Sequence, residues 1–445
     1  MKRLLYTLVL LLPMQWVLAQ TEFGLHYLPQ VLQSQQTNPA LLSPFKVNIA
    51  LPSPYLSLAN SGFTAKQILS PMPGSDSLLL NIDEVLARLG DQNYVRANVR
   101  TDILGVGIRV RNLQVTATAA ARVNVIANYP RSLVDLAWNG NGAYLGEELE
   151  IAPDVAALAY SEIALGAAYR FMDRLTVGAK LKYLNGVANV GMEQRSIRFS
   201  TSPEYYQLQA DVDMELRTSV LDFGALDSME FSFEPEPFGN NRGWGLDLGA
   251  TFEIGKRWDV SASVTDLGFI NWTDEAKKYD VSGRVNFAGV DVASIVNGDS
   301  MAMETLVDSI FSGITIGESY ETYRTRLPMQ AMASVRFSPL KKLHLQGVVY
   351  NESYRGRNYP GLSVGVRKDF GKIFSLGASY NIRHRAYNQF GIQTWLRLGP
   401  FAGFLVMDNV LAPVFPMSAK YASIRLGLNL SIGKVRIDDK APKDR

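Results

Sequence analysis

Gly361-Leu362-Ser363-Val364-Gly365 matches G-x-S-x-G, a pattern in which a serine nucleophile is exposed on a sharp strand-to-helix turn. Here Ser363 lies within the alternation Leu362, Val364, Val366, so it reads as a mid-strand serine rather than a nucleophile. Ser43-Pro44-Phe45-Lys46 and Ser338-Pro339-Leu340-Lys341 match S-x-x-K, but the companion S-D-N and K-T-G motifs are missing, and both read as proline turns. The three histidines, His26, His344 and His384, are scattered without metal-ligand spacing. With no cysteine in the chain there is no thiolate nucleophile, disulfide or Cys-ligated metal. These residues point away from an enzyme, and no metal or cofactor is expected.

One constellation of charge stands out. Arg122, Lys180, Lys182 and Arg425 fall well away from the predicted turns. Arg109, Arg111, Arg170, Arg367 and Arg397 lie close to them, and Asp247, Glu253 and Asp259 are opposing acids. The cations far from the turns admit two readings. One is a salt-bridged interior that fills and stiffens the fold. The other is a cationic patch, Arg122, Lys180, Lys182 and Arg425, that holds a carboxylate or phosphate head group.

The elements that carry these charges are strands. Ile424, Leu426, Leu428, Leu430 and Ile432 alternate with Arg425, Gly427, Asn429, Ser431 and Gly433. Phe374 to Arg383 and Phe390 to Gly399 repeat the pattern, as do hairpins around Asn112, Met172-Asp173-Arg174, Gly255-Lys256-Arg257 and Ser338-Pro339-Leu340-Lys341. A period of two marks a strand with different surroundings on its two sides. Segments of roughly ten such residues joined by short turns are the mark of an outer-membrane barrel. The chain is 47% hydrophobic and 19% charged, yet beyond its first residues it has no uninterrupted apolar run long enough for a spanning helix. A barrel reconciles these facts, because single lipid-facing apolar residues alternate with polar ones. The formal net charge of +2, without a basic block, gives no sign of nucleic acid as a partner.

Lys2-Arg3, the apolar run Leu4 to Leu12 and Val17-Leu18-Ala19 predict a signal peptide over 1–19. Residues 20–44 form a polar leader that either plugs the barrel or stays in the periplasm, and 435–445 form a periplasmic tail. The barrel itself is assigned to 45–434, with its first strand from Phe45 to Asn60 spoiled by Pro52 and Pro54. Long outer loops are assigned to 61–96, 128–154, 190–242 and 270–325, with a short amphipathic helix within Ser77 to Leu89. Arg383-His384-Arg385 reads as a solvated loop edge. The count is about fourteen strands, or about sixteen if the alternating pieces 205–220 and 279–288 also span. The expected fold is therefore all-β, a transmembrane antiparallel β-barrel with an N-terminal plug, in the outer membrane of a Gram-negative-type bacterium.

The Asn38-Pro39-Ala40 motif after a polar leader, followed by about fourteen strands, resembles the long-chain fatty-acid transporter (FadL-like) superfamily, which includes barrels attached to type IX secretion. The resemblance implies a plugged barrel through which hydrophobic ligands pass and leave laterally. Asn38, Pro39 and Ala40 would belong to the plug, and the family's ligand-contacting residues match no other motif here. The leading function is passive uptake of hydrophobic or amphipathic small molecules. The main alternative is a binding or scaffold barrel with a secretion-machinery protein as partner. A lesser one is an outer-membrane lipid hydrolase pairing Ser363 with His384. Outer-membrane lipid is the surrounding partner in each case.

Overall fold

In the last strand, Leu426 and Leu428 are 48% and 56% exposed, while Arg425 and Asn429 beside them are 0% and 1% exposed. A water-soluble sheet would show the reverse. Apolar side chains turned outward around a polar interior are the signature of a barrel whose solvent is lipid. The computed structural model describes residues 22–71, 78–222, 232–233, 239–287, 313–383 and 386–435.

Fourteen antiparallel strands close the wall. They are β1 (Phe45–Ala50, continued by Ser53–Asn60), β2 (Gln92–Val110), β3 (Leu113–Pro130), β4 (Asp154–Phe171), β5 (Leu175–Thr201), β6 (Arg242–Ile254) and β7 (Trp258–Trp272). There follow β8 (Tyr323–Arg326, continued by Met329–Leu340), β9 (Leu343–Tyr354), β10 (Arg357–Phe370), β11 (Phe374–Arg383), β12 (Ala386–Leu398), β13 (Phe401–Met407) and β14 (Tyr421–Lys434). β14 closes on β1, with Val47 opposite Ile432 and Leu56 opposite Ile424. The interruption of β1 falls at Leu51 and Pro52, where proline has no N–H to give the ladder. Tight turns at 111–112, 172–174, 255–257, 341–342, 371–373 and 399–400 lie at one end, where β1 also begins and β14 ends. That end is periplasmic, since outer-membrane barrels keep their short turns there.

Several strands outrun the expectation. β2 starts at Gln92, inside the stretch assigned to a loop, and β5 runs on to Thr201. Beyond the barrel, β5 pairs with Leu208–Ser219, which pairs with Ala276–Phe287, which pairs with Ile314–Tyr320. The alternating pieces 205–220 and 279–288 thus build a sheet projecting outward and add no strands to the wall, which settles the count at fourteen. The turn assigned to Ser338-Pro339-Leu340-Lys341 is displaced to 341–342, with a register shift between Phe337 and Leu340. The loop helix is Ile82–Arg88, capped by the Asn81 side chain accepting from the Glu84 amide at 3.2 Å. Its Val85 and Leu86 are buried with Leu89, and Phe63, Tyr129 and Val134 pack against them. Residues 1–21 and 436–445, which hold the expected signal peptide and most of the tail, lie outside the described residues.

Candidate functional site

Residues 22–44 lie inside the barrel. Leu25, Leu28 and Val31 are buried against Phe45, Trp395, Phe404 and Val406 of the wall, and Phe23 and Tyr27 against Val348 and Tyr350. Polar contacts fix the rest. His26 shares hydrogen bonds with Thr37 at 2.7 Å and Ser334 at 3.0 Å, and burial pulls its imidazole down to about 4, keeping it neutral. The Tyr27 hydroxyl meets Ser363 at 2.8 Å, and Arg367 donates to the Tyr27 carbonyl at 2.6 Å. Gln33 and Asn429 pair through their amides at 2.9 Å.

Asn38, Pro39 and Ala40 rest on glycine. Gly178 of β5 and Gly249 of β6 stand opposite each other in register. A Cβ on Gly178 would lie 2.5 Å from the Pro39 carbonyl carbon, and one on Gly249 would collide with the Asn38 side chain. Asn38 itself is fully buried; its amide donates to the carbonyls of Ala250 and Ala262, and its oxygen accepts the Ala40 N–H at 2.8 Å. The motif is thus a tight turn that grips two strand backbones, with Pro39 fixing its entering φ.

At its N-terminal end the segment is held by charge. Asp408 accepts the amides of Phe23 at 2.9 Å and Gly24 at 2.8 Å and pairs with Arg383 at 2.6 Å. Arg383 is 1% exposed, with its guanidinium between the rings of Phe23 and Tyr421, so it is a buried strut rather than a solvated loop edge. His384 and Arg385 lie outside the described residues.

The cations singled out in the sequence do not form a separate patch. They are interleaved with carboxylates in one chain of ion pairs across the lumen. Glu22 meets Arg425 at 2.8 Å, Arg425 meets Asp102 at 2.9 Å, and Asp102 meets Arg100 at 2.8 Å. Arg100 reaches Glu162 at 2.9 Å, Glu162 reaches Arg122 at 3.0 Å, and Arg122 reaches Asp266 at 2.9 Å. Lys182 closes the chain between Asp266 at 2.6 Å and Asp247 at 2.7 Å. Arg122, Lys182 and Arg425 therefore each stand between two carboxylates. Lys180 is buried opposite Asp247 in register and makes no ion pair among the described residues. Of the acids named from sequence, Asp247 belongs to this chain, whereas Glu253 and Asp259 pair with Arg170 and Arg336 near the periplasmic rim. Glu22, Asp102, Glu162 and Asp266 were not singled out. Asp102 and Asp266 share parity with the lipid-facing Leu104 and Val264, and only bulges turn them inward.

Toward the outside the wall thins. β13 has 7 residues between the 13 of β12 and the 14 of β14. Above Met407 the space between the outer ends of β12 and β14 is taken by the 408–420 loop, tied by Asn409 to the Tyr421 carbonyl at 2.7 Å. A cavity of about 630 Å³ opens there, lined by Leu89, Tyr387, Leu411, Phe415, Lys420 and Tyr421 among others. Leu411, Val414, Phe415 and Met417 of this loop are exposed.

Neither Ser363 nor Ser338 has the surroundings of a nucleophile. Ser363 is buried mid-strand and donates to Asn381 at 2.6 Å. Ser338, His344 and Asp369 do line up near the periplasmic rim, at 2.8 and 3.2 Å. However, the Ser338 N–H is spent on the Arg257 carbonyl, and the next residue, Pro339, has no N–H to offer an oxyanion. That trio caps a turn. Among the described residues no group of His, Asp and Glu could hold a metal ion.

A closed barrel with an apolar outer face and a plugged, charge-laced lumen is an integral outer-membrane β-barrel protein. Residues 39–408 match the model of a family described as a family of unknown function (DUF5723), and the chain belongs to that family. No curated protein matches it. Among solved structures it is similar to a Pseudomonas aeruginosa FadL homologue, at 10% identity and a TM-score of 0.42, over 93% of this chain and 99% of that one. It is also similar to the Pseudomonas putida toluene transporter TodX, at 10% identity and a TM-score of 0.37, over 93% and 98%. A third is the translocator domain of the autotransporter NalP from Neisseria meningitidis, at 8% identity and a TM-score of 0.34, over 90% and 93%.

Proposed function

We propose that the protein takes up hydrophobic or amphipathic small molecules passively across the outer membrane, without an aqueous pore. The observation that carries this reading is the outer cavity beside the short strand β13. It is roomy, and its lining joins Leu89, Tyr387, Leu411, Phe415 and Tyr421 to polar side chains such as Arg88, Asn388 and Lys420. It is walled by a loop that exposes Leu411, Val414, Phe415 and Met417. The plug and ion chain below it block water, so a molecule that leaves water at the outer mouth does so for an apolar surface. The cations Arg122, Lys182 and Arg425 serve this design by tying wall strands together inside the barrel, each with its charge matched, and Arg425 also holds Glu22 of the plug. Of the four first considered for a head group, Lys180 alone makes no ion pair among the described residues, and it is the one left as a contact for an anion.

The test is the rate at which cells with intact outer membranes take up N-phenyl-1-naphthylamine, a dye that fluoresces in apolar surroundings. Expression of the protein should speed uptake, and Phe415→Asp with Leu411→Asp should return it to background. Unchanged rates with properly folded protein would overturn the reading.

A scaffold role is the second reading, and the projecting sheet favours it. Three strands stacked on the outer end of β5 exceed what closing a barrel requires. Native mass spectrometry of the detergent-extracted protein separates the two, since a stoichiometric protein partner would speak for the scaffold.

A further inference from the structure

A second cavity, of about 410 Å³, lies on the opposite side of the plug and opens at the periplasmic end of the barrel. Its charge is lopsided. Arg109, Arg170, Arg336, Arg367, Lys372 and Lys434 line it, against the carboxylates Glu253, Asp259 and Asp369. Each carboxylate already has a partner, since Glu253 pairs with Arg170, Asp259 with Arg336, and Asp369 with Arg367. Arg109, Lys372 and Lys434 are left over, and Lys372 and Lys434 are exposed to solvent whereas Arg109 is not. Arg109 is 4% exposed and makes no ion pair among the described residues. Its Nε donates to the Arg111 carbonyl at 3.1 Å, and one terminal nitrogen donates to the Ser43 carbonyl at 2.7 Å. A guanidinium withdrawn from water without a carboxylate partner is costly, and two carbonyl oxygens supply only part of what it lost.

The cavity also has an apolar floor. Pro29, Leu41 and Leu42 of the plug are half-buried and face it, and Phe45 and Trp395 continue that surface. An uncompensated guanidinium at one side of an apolar floor matches a molecule with an anionic head and a hydrocarbon tail. Neither half alone explains the whole lining, because an inorganic anion leaves the floor wet and a hydrocarbon leaves Arg109 unpaired.

We propose that this periplasmic vestibule binds a single-chain amphiphile with an anionic oxygen head group, the head on Arg109 and the tail along Leu41, Leu42 and Trp395. The site lies across the plug from the outer cavity and stands whether or not that cavity serves uptake. Because Arg109 also grips the Ser43 carbonyl, an occupant there would bear on the neck of the plug.

The experiment uses the full chain in nanodiscs of zwitterionic lipid, free of detergent, titrated with 11-bromoundecanoate. Bromine quenches nearby tryptophan, and the Trp395→Phe variant isolates the component arising in the vestibule. A saturable quenching that Trp395→Phe removes is expected, with its midpoint raised about tenfold or more by Arg109→Gln and largely restored by Arg109→Lys. The neutral 11-bromoundecanol should show only unsaturable quenching from the lipid. If Arg109→Gln does not fold, Leu42→Ser supplies the second test, and it should weaken binding by loss of the tail contact. Equal quenching by acid and alcohol, or no saturable component, would overturn the proposal. So would inorganic phosphate competing as well as the amphiphile, which would mean an anion site without a tail.

Discussion

Arg425 of β14 and Asp102 of β2 meet at 2.9 Å across the strand that lies between them. That strand is β1, broken at Leu51 and Pro52, the point where the barrel closes on itself. Asp102 stands opposite Ser53, and Arg425 opposite Tyr55. The side-chain bond therefore spans the seam where the backbone ladder is weakest, and Glu22 joins it from the plug at 2.8 Å. A buried ion pair adds little net stability over an apolar filling, but removing one partner strands the other. Arg425→Gln should accordingly cost about 3–5 kcal/mol in a urea refolding titration. A double variant with Asp102→Asn should cost clearly less than the sum of the two single ones. Simple additivity would mean that the pair is hydrated and carries no coupling.

The face assignment is tested at one pair of neighbours. Leu428→Arg puts a charge into lipid near mid-membrane and should cost about 2–4 kcal/mol. Leu428→Ile should be near neutral in the same titration. Asn429→Ala, facing the lumen, should leave barrel formation alone and loosen the plug by losing its bond to Gln33. A mild Leu428→Arg would invert the two faces.

The glycine floor under Asn38 and Pro39 gives a way to unseat the plug without deleting it. Gly249→Val places methyl groups where the Asn38 side chain sits, and Gly178→Val does so at the Pro39 carbonyl. Both variants should insert as folded barrels and raise the ion conductance of planar bilayers above the near-silent parent. Deleting Thr21 to Gln36 should raise it further. Silence in all three, with folded barrels, would show that the wall's own side chains close the lumen.

Glu22 makes plug docking sensitive to pH. Burial pushes its carboxyl up to about 7, outweighing the attraction of Arg425. A carboxyl whose folded pKa is raised binds more protons when docked, so its contribution is full below its ordinary value of 4.5. It is lost as pH climbs through about 7. Thermal midpoints should therefore fall between pH 5 and pH 7.5 relative to Glu22→Gln, which should lack this slope. Parallel curves for the two proteins would refute the assignment.

Topology can be read with single cysteines, because the chain has none of its own. Cysteines at Asp173, Lys256 or Gly371 should resist an impermeant thiol reagent on intact cells. Those at Gly142 or Arg355 should react. The opposite pattern would turn the barrel over.

The local pattern of residue types determined which side of most strands meets lipid. Leu426 and Leu428 outside, Arg425 and Asn429 inside, follow from a period of two and need no knowledge of partners. The short periplasmic turns and the number of wall strands were legible for the same reason, since each hairpin is a local event. What lay beyond the sequence was wherever that period breaks. Asp102 has the parity of lipid-facing Leu104, and Asp266 that of lipid-facing Val264, so plain alternation would drive two carboxylates into the membrane. Instead Ile103 and Leu104 both point outward, and Thr265 and Asp266 both point inward, at register shifts against β3 and β6. A bulge inserts one residue on one strand, and only the partner strand's register reveals it. Those two shifts supply acids to Arg425, Arg100, Arg122 and Lys182, turning what reads as a cationic patch into a neutralised chain. The plug's seat was hidden likewise, because Gly178 and Gly249 are far apart in sequence and become a floor for Asn38 and Pro39 only when β5 lies beside β6.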